Sequence, residues 1–251
     1  MSGPTQVFIV CSPRAHTGKT LVARLIAEFY QSIHRPPACF DLEQIDPALT
    51  EFLPLATERA AIGETRGQVA LFDRLVVADQ KPKIVDLSPH ALEKFFTVAY
   101  DIGFDHEARE RGVSAVVMYV AGEQPLVQTT YGILRDKLPG LIFVPVYNDA
   151  VARSPELRKL FPANPNSPTP IEIPQLSSSL RRIIDQRPFS FLEFLKDPPL
   201  RMARSTRAEM ESFVRRVFRQ LHEMELSLLM SQLNQSLEAQ LNAAAKRAGG
   251  K

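Results

Sequence analysis

Apolar residues along the first 175 positions gather into short continuous runs at 7–11, 38–42, 84–87, 113–120, 141–147 and, more weakly, 171–173. None alternates with polar residues, so each predicts a strand covered on both faces. The stretches between them carry helical spacing, at 18–33, 66–79, 89–101, 125–138 and 155–161. Val69, Phe72, Leu75 and Val76 fall on one such apolar stripe. Ser88 followed by Pro89 supplies an N-cap with proline at the first helical position. Strand and helix alternating in this way, with right-handed crossovers, predict an α/β fold: a doubly wound, mostly parallel sheet with flanking helices.

Beyond this region the pattern changes. From 161 to 174 the chain reads FPANPNSPTPIEIP, where proline leaves room only for a loop and a short edge strand. Helical patterns return at 176–186 and 189–196. Thr206 and Glu209 have capping-box spacing, opening a helix expected to run about 40 residues to position 245. Met210, Phe213, Val214, Val217, Leu221, Met224 and Leu228 form its apolar stripe, and Leu233, Leu237 and Leu241 continue it among polar residues. The expected organisation is a domain over 1–200 and a C-terminal helical extension over 201–251. Its first half docks on the domain, and its last residues, AAAKRAGGK, fray.

Composition narrows the classes. With 251 residues and 45% hydrophobic content, the chain can build a sizeable core, which excludes a disordered protein. A net charge of +2 is too small to imply nucleic acid or an anionic membrane by itself. Cys11 and Cys39 both fall in expected strands and read as reduced core residues, with a cytoplasmic location. No apolar run reaches the roughly 20 residues that a bilayer span needs, so no transmembrane segment is expected.

The chemistry sits at the first strand-to-helix turn. There VFIVCSPRAHTGKT places Gly18, Lys19 and Thr20 where a helix opens after an apolar strand. Backbone N–H groups and the helix dipole meet an anion in that arrangement. Lys19 would neutralise β- and γ-phosphate charge, and the Thr20 hydroxyl would ligate Mg²⁺. Asp41 and Asp86 end the second and third apolar runs. With Thr20 they make a hard-oxygen set of the kind phosphoryl transfer uses.

On these residues the sequence resembles the ParA/MinD-type P-loop ATPases, whose deviant Walker A motif reads K-G-G-x-G-K-[ST]. Aligned on Gly18-Lys19-Thr20, Arg14 falls on the signature lysine, Ala15 and His16 on the two glycines, and Thr17 on the variable position. CFDLEQIDP is similar to the switch I segment, with Asp41 and Glu43 on its acids. KPKIVDLSPHAL is similar to the Walker B and switch II region, with Asp86 on the acid. LIFVPVYNDA is similar to the late strand that ends in an adenine-reading asparagine, here Asn148. The motifs cover about residues 5–150, and the spacing looks closest to divergent TraL-like conjugal-transfer ATPases.

The resemblance implies ATP and Mg²⁺ as cofactors. It implies nucleotide contacts along Ser12, Pro13, Arg14, Ala15, His16, Thr17, Gly18, Lys19, Thr20 and Leu21, with Asn148 at the base. Thr20, Asp41 and Asp86 would hold the metal. Asp41, Glu43 and Arg14 would carry catalysis, Arg14 reaching the partner's phosphates across a nucleotide-dependent homodimer. Such a protein acts as a slowly hydrolysing switch that positions, partitions or assembles a cargo through a partner. The departures matter: Pro13 stands where the longer Walker motif has glycine, and Glu43 is one methylene longer than the aspartate of the pattern. A displacement of about 1 Å can cost about a hundredfold in rate. The alternative is a hydrolysis-deficient, nucleotide-gated or nucleotide-free scaffold acting through its C-terminal helix. A small-molecule ligase of the same superfamily would need a substrate pocket with its own polar motif, and the sequence shows none.

Two further surfaces enter as expectations. Arg153, Arg158, Lys159, Arg181, Arg182 and Arg187 offer phosphate contacts for non-specific DNA binding. The C-terminal helix lacks Phe and Trp beyond Leu229, which favours docking or helix pairing over a membrane interface.

Overall fold

The computed structural model describes residues 4–162, 167–199 and 202–248, with side chains as far as residue 234. Seven parallel strands form one sheet in the order β3-β2-β4-β1-β5-β6-β7. They are β1 (Thr5–Cys11), β2 (Ala38–Asp41), β3 (Thr57–Arg59), β4 (Lys83–Asp86), β5 (Val113–Val120), β6 (Ile142–Asn148) and β7 (Ile171–Ile173). The continuous apolar runs are therefore strands of a sheet buried on both sides, and every residue of β1 and β5 is buried.

Successive residues of β1 serve the two faces in turn, as the period of two requires. Val7, Ile9 and Cys11 join one core with α3 (Thr65–Leu75), α4 (Pro89–Asp101), α5 (Phe104–Glu110) and α6 (Pro125–Lys137). Phe8 and Val10 join the other with α1 (Lys19–Ser32), α8 (Ser178–Ile184), α9 (Phe191–Lys196) and α10 (Arg204–Ala248). The chain leaves β1 through α1 on one face and returns from β4 to β5 through α4 and α5 on the other. That change of side leaves a crevice at the carboxyl ends of β1 and β4, where open α/β sheets take ligands.

Several local expectations change. Two short helices, α2 (Ala48–Phe52) and α5, and the edge strand β3 occupy stretches without a periodic signal. Only one turn of the expected 155–161 helix forms, as α7 (Leu157–Leu160). Val69 is exposed, and Leu71 takes its place in the core beside Phe72, Leu75 and Val76. The cap of α4 is as the sequence indicates, with the Ser88 hydroxyl accepting from the Ala91 N–H at 3.2 Å.

The Thr206–Glu209 capping box does not form, because α10 already begins at Arg204 and Thr206 lies inside it. The Glu209 carboxylate instead accepts from the Ser177 N–H at 2.6 Å, tying α10 to the start of α8. Met210, Phe213, Val214, Val217, Leu221, Met224 and Leu228 are buried in the same core as α1 and β7, so the first half of α10 is docked. The side chains of Leu237 and Leu241, part of the 161–174 loop, and the end of the AAAKRAGGK tail lie outside the described residues.

Candidate functional site

The loop from Ser12 to Gly18 leaves β1 at the crevice and feeds α1. Two of its residues adopt left-handed backbone, His16 at φ 57° and Gly18 at φ 91°. Gly18 is required for space as well. A Cβ there would lie 2.4 Å from the Asn148 side-chain nitrogen. That nitrogen donates to the Thr17 carbonyl at 3.0 Å, while the Asn148 oxygen accepts from the Ala150 N–H at 3.1 Å. Asn148 is 4% exposed with both side-chain groups engaged. It braces the loop from the end of β6 and lines the smaller of two clefts there.

Lys19 is buried, and its ammonium donates to the Arg14 carbonyl at 2.7 Å, closing the loop on itself. Burial lowers its pKa from the ordinary lysine value, opposed chiefly by the negative charge of Asp86. The Thr20 hydroxyl donates to the Asp86 carboxylate at 2.7 Å. Burial pushes the Asp86 carboxyl up to about 7, with the Thr20 hydrogen bond and Lys19 opposing and Asp41 and Glu43 adding to the rise. A buried carboxylate beside a hydroxyl, short of positive charge, is the environment a hard divalent cation relieves. Thr20 and Asp86 thus fit a Mg²⁺ ion, and Lys19 beside them would suit a phosphate. The Ser12 hydroxyl in the same loop is buried without a hydrogen-bond partner.

Asp41 sits beside Asp86 in strand register, yet its carboxylate is already committed. It accepts from the Glu43 N–H at 3.0 Å, from the Thr50 N–H at 2.9 Å and from the Thr50 hydroxyl at 3.1 Å. It is fully buried, and the chain folds around it so that α2 packs back on β2. In this structure the Asp41 carboxylate anchors the segment 41–50. No group of three or more His, Cys, Asp or Glu side chains with metal-binding geometry occurs among the described residues.

Glu43 reaches the crevice, with one oxygen accepting from the Ile45 N–H at 3.1 Å. Arg14, Ala15 and His16 are exposed on the rim, Pro13 is half-buried beside them, and Leu21 is half-buried on α1. The crevice divides around Gly18 into two clefts. One, of about 500 Å³, holds Lys19, Thr20, Glu43, Asp86, His90 and Arg187. The other, of about 320 Å³, has Leu21, Val151, Ile173, Pro174 and Phe213 among its walls.

Two arginines frame the polar cleft, and neither was singled out for this role by the sequence. Arg24 of α1 is 2% exposed; its guanidinium lies 3.5 Å from the centroid of the Phe52 ring and donates to the Ile184 carbonyl at 2.9 Å. Burial lowers its pKa to about 10. An arginine among Val22, Ala23, Leu25, Ile26 and Ala27 was the available signal. Arg187 makes two bonds to Asp46, at 2.6 and 3.2 Å, and one to Glu51 at 2.8 Å. It fastens the segment after β2 to the turn after α8. Of the other basic residues, Arg158 pairs with Glu172 and Lys159 with Glu156, so half of the expected cationic set is neutralised by neighbouring acids. Cys11 and Cys39 are buried, and burial raises both thiols, Cys39 to about 12.

No helix of the described residues is long and apolar enough to cross a membrane. No protein-family profile matches the sequence, and no curated protein does. Among solved structures, a nucleotide-binding protein from Archaeoglobus fulgidus in complex with ADP aligns at 14% identity, over 71% of this chain and 85% of its own, with a TM-score of 0.46. The MinD cell division protein of Aquifex aeolicus aligns at 12% identity, over 84% of this chain and 96% of its own, with a TM-score of 0.47. Neither likeness bears on the chemistry, for which the chain's own residues are the guide.

Proposed function

We propose that the chain is a ParA/MinD-like ATPase, binding ATP with Mg²⁺ in the crevice at the carboxyl ends of β1 and β4 and acting as a slow switch. One observation carries the reading: the Thr20 hydroxyl and the raised, buried Asp86 carboxyl meet at 2.7 Å, beside Lys19, at the opening of α1. Bound Mg²⁺ would supply the positive charge that Asp86 lacks and polarise a phosphate. The remaining work falls to the chain. Lys19 leaves the Arg14 carbonyl to meet phosphate, and the amides of Ala15 to Thr20 line its path. Asp41 holds the segment carrying Glu43, whose carboxylate accepts from the attacking water. The exposed Arg14 guanidinium is free to meet a second copy across bound nucleotide, where its planar fork suits phosphate oxygens.

In this reading residues 1–200 form the nucleotide-binding domain and the C-terminal helix transmits its state to a protein partner or cargo. Non-specific DNA contact through Arg153, Arg181 and Arg182 remains part of the proposal. A second reading, a scaffold that has lost turnover, draws support from the closed Lys19–Arg14 contact and the committed Asp41. Titration with ATP, with and without Mg²⁺, followed by phosphate release against a Lys19→Ala control, tests the first reading. Mg²⁺-dependent binding and release above the control are expected. Binding without release favours the scaffold, and absence of binding overturns the site.

A further inference from the structure

Lys19, Arg24 and Arg187 line the cleft that holds Thr20 and Asp86, and they differ in how firmly each is held. Lys19 donates to the Arg14 carbonyl at 2.7 Å. Arg24 is buried against the Phe52 ring and donates to the carbonyls of Ile184 at 2.9 Å and Phe189 at 3.3 Å. Leaving those partners would strand a buried charge. Arg187 is under no such constraint. Its side chain is 31% exposed, and the acids it meets, Asp46 and Glu51, are 66% and 51% exposed. Ion pairs so open to water are weak, and a more highly charged anion can take the guanidinium at little cost.

The contact with Asp46 also has the right shape. One guanidinium nitrogen donates to Oδ1 at 2.6 Å and the other to Oδ2 at 3.2 Å. Two oxygens accepting side by side from one planar fork is an arrangement that a phosphate reproduces.

The backbone carrying Arg187 is fixed to the helix that begins at Lys19. Arg24 of α1 holds Ile184 and Phe189, one on each side of Arg187. Glu28, one turn further along α1, accepts from the Ser190 hydroxyl at 2.6 Å and the Leu192 N–H at 2.8 Å. The turn is therefore clamped to α1, and the Arg187 side chain is the part left to move. Opposite it, Asp41 closes the loop after β2 at its base by accepting from the N–H groups of Glu43 and Thr50. Arg187 fastens the same loop at its tip, through Asp46.

We propose that Arg187 reads the terminal phosphate of bound nucleotide. It leaves Asp46 and Glu51 for that phosphate, and the loop tip between Glu43 and Thr50 is released while Asp41 keeps Glu43 in place. A diphosphate ends short of the guanidinium and leaves the tip fastened. The role presupposes that the crevice takes nucleotide, as proposed above, and adds the means by which the chain tells ATP from ADP.

Calorimetric titration of the full-length chain with ATP and with ADP, each with Mg²⁺, tests this beside Arg187→Ala and the double variant Asp46→Asn, Glu51→Gln. The wild-type chain should prefer ATP by about tenfold, one charge-assisted contact being gained against a weak pair lost. Arg187→Ala should lose most of that preference through weaker ATP binding, with ADP affinity unchanged. The double variant should bind ATP more tightly than the wild type, because the guanidinium no longer has to be taken from an acid. A role limited to bracing the fold predicts no such gain. Hydrogen exchange within 43–52 should quicken when ATP binds the wild type, stay slow with ADP, and be fast in Arg187→Ala whatever is bound. A wild-type chain without preference, a preference unchanged in Arg187→Ala, or a double variant that fails to bind ATP more tightly would each overturn the role while leaving the nucleotide site standing. No binding of either nucleotide to any of these proteins would overturn the site and the role together.

Discussion

Asp86→Asn separates the electrostatics of the crevice from its shape. Asparagine keeps an oxygen to accept from the Thr20 hydroxyl at nearly the same position, while removing the carboxylate that burial disfavours. In the folded chain the Asp86 carboxyl is raised from 3.8 to about 7. Between those values the folded state keeps a proton that the unfolded state gives up, so stability falls as pH rises through this window and is level above it. A shift of that size corresponds to at most about 4 kcal/mol, taking about 1.4 kcal/mol per pH unit. The substituted amide carries no such penalty.

The variant should therefore be the more stable protein at pH 8 and show no advantage below pH 4. For a chain of this size about 4 kcal/mol corresponds to roughly 8–16 °C in melting temperature. Scanning calorimetry of both proteins from pH 4 to 8.5, without Mg²⁺, measures the difference directly, and contributions from other carboxylates cancel in the comparison. Adding ATP and Mg²⁺ should narrow the gap between them. Ligand at about a hundred times its dissociation constant stabilises by about 2.7 kcal/mol, and the variant should lose most of that gain. Parallel curves for the two proteins across the whole pH range would refute the claim that Asp86 is held as a protonated acid by burial. A ligand-induced shift unaffected by the substitution would remove Asp86 from the metal site.

Gly18→Ala sets a Cβ 2.4 Å from the Asn148 nitrogen at a backbone angle of 91°, and should cost about 1–3 kcal/mol on chemical denaturation while abolishing ATP binding. Gly103→Ala, at φ 62° with nothing within 4 Å, serves as the control that carries the backbone cost alone. Arg187→Ala removes a solvent-accessible ion-pair network and should change stability by less than about 1 kcal/mol. Hydrogen exchange should nevertheless quicken across 43–52, because Asp46 and Glu51 lose their tether to the turn after α8.

The parallel sheet was legible because its strands are continuous apolar runs, a pattern that only two-sided burial produces. The short elements were not. α2, β3 and α5 span five, three and seven residues, too few turns for periodicity to rise above composition. Thr206 and Glu209 have the local spacing of a cap, but a long-range acceptor competed and won when the Ser177 N–H came within reach of Glu209. The same limit applies at the site. Lys19, Thr20 and Asp86 could be placed from the chain because strand ends and a helix start fix them. The duty of Asp41 depends on residues 48–50 folding back over β2, which no spacing records. Arg24 and Arg187 act across about 160 and 140 positions of sequence, through contacts that exist only in the folded chain.

Under the proposed function, a phosphate-binding loop without its usual glycines needs another source of shape, and the contacts around Gly18 supply one. Only two positions, His16 and Gly18, take left-handed backbone, so Ala15 and Pro13 can carry a Cβ without strain. His16 bears a cost of about 1–2 kcal/mol for doing so, which the rest of the loop must offset. It does so from outside: Asn148 pins the Thr17 carbonyl, and Lys19 pins the Arg14 carbonyl. The first brace leaves the crevice open, whereas the second occupies the ammonium that a phosphate would claim. Hydrogen bonds to a charged group are worth about 1.5–3 kcal/mol, so an incoming anion must exceed that before Lys19 turns. The loop is thus pre-shaped yet self-satisfied, and under the proposed function weak nucleotide binding is the expected consequence of the same contact that holds it together.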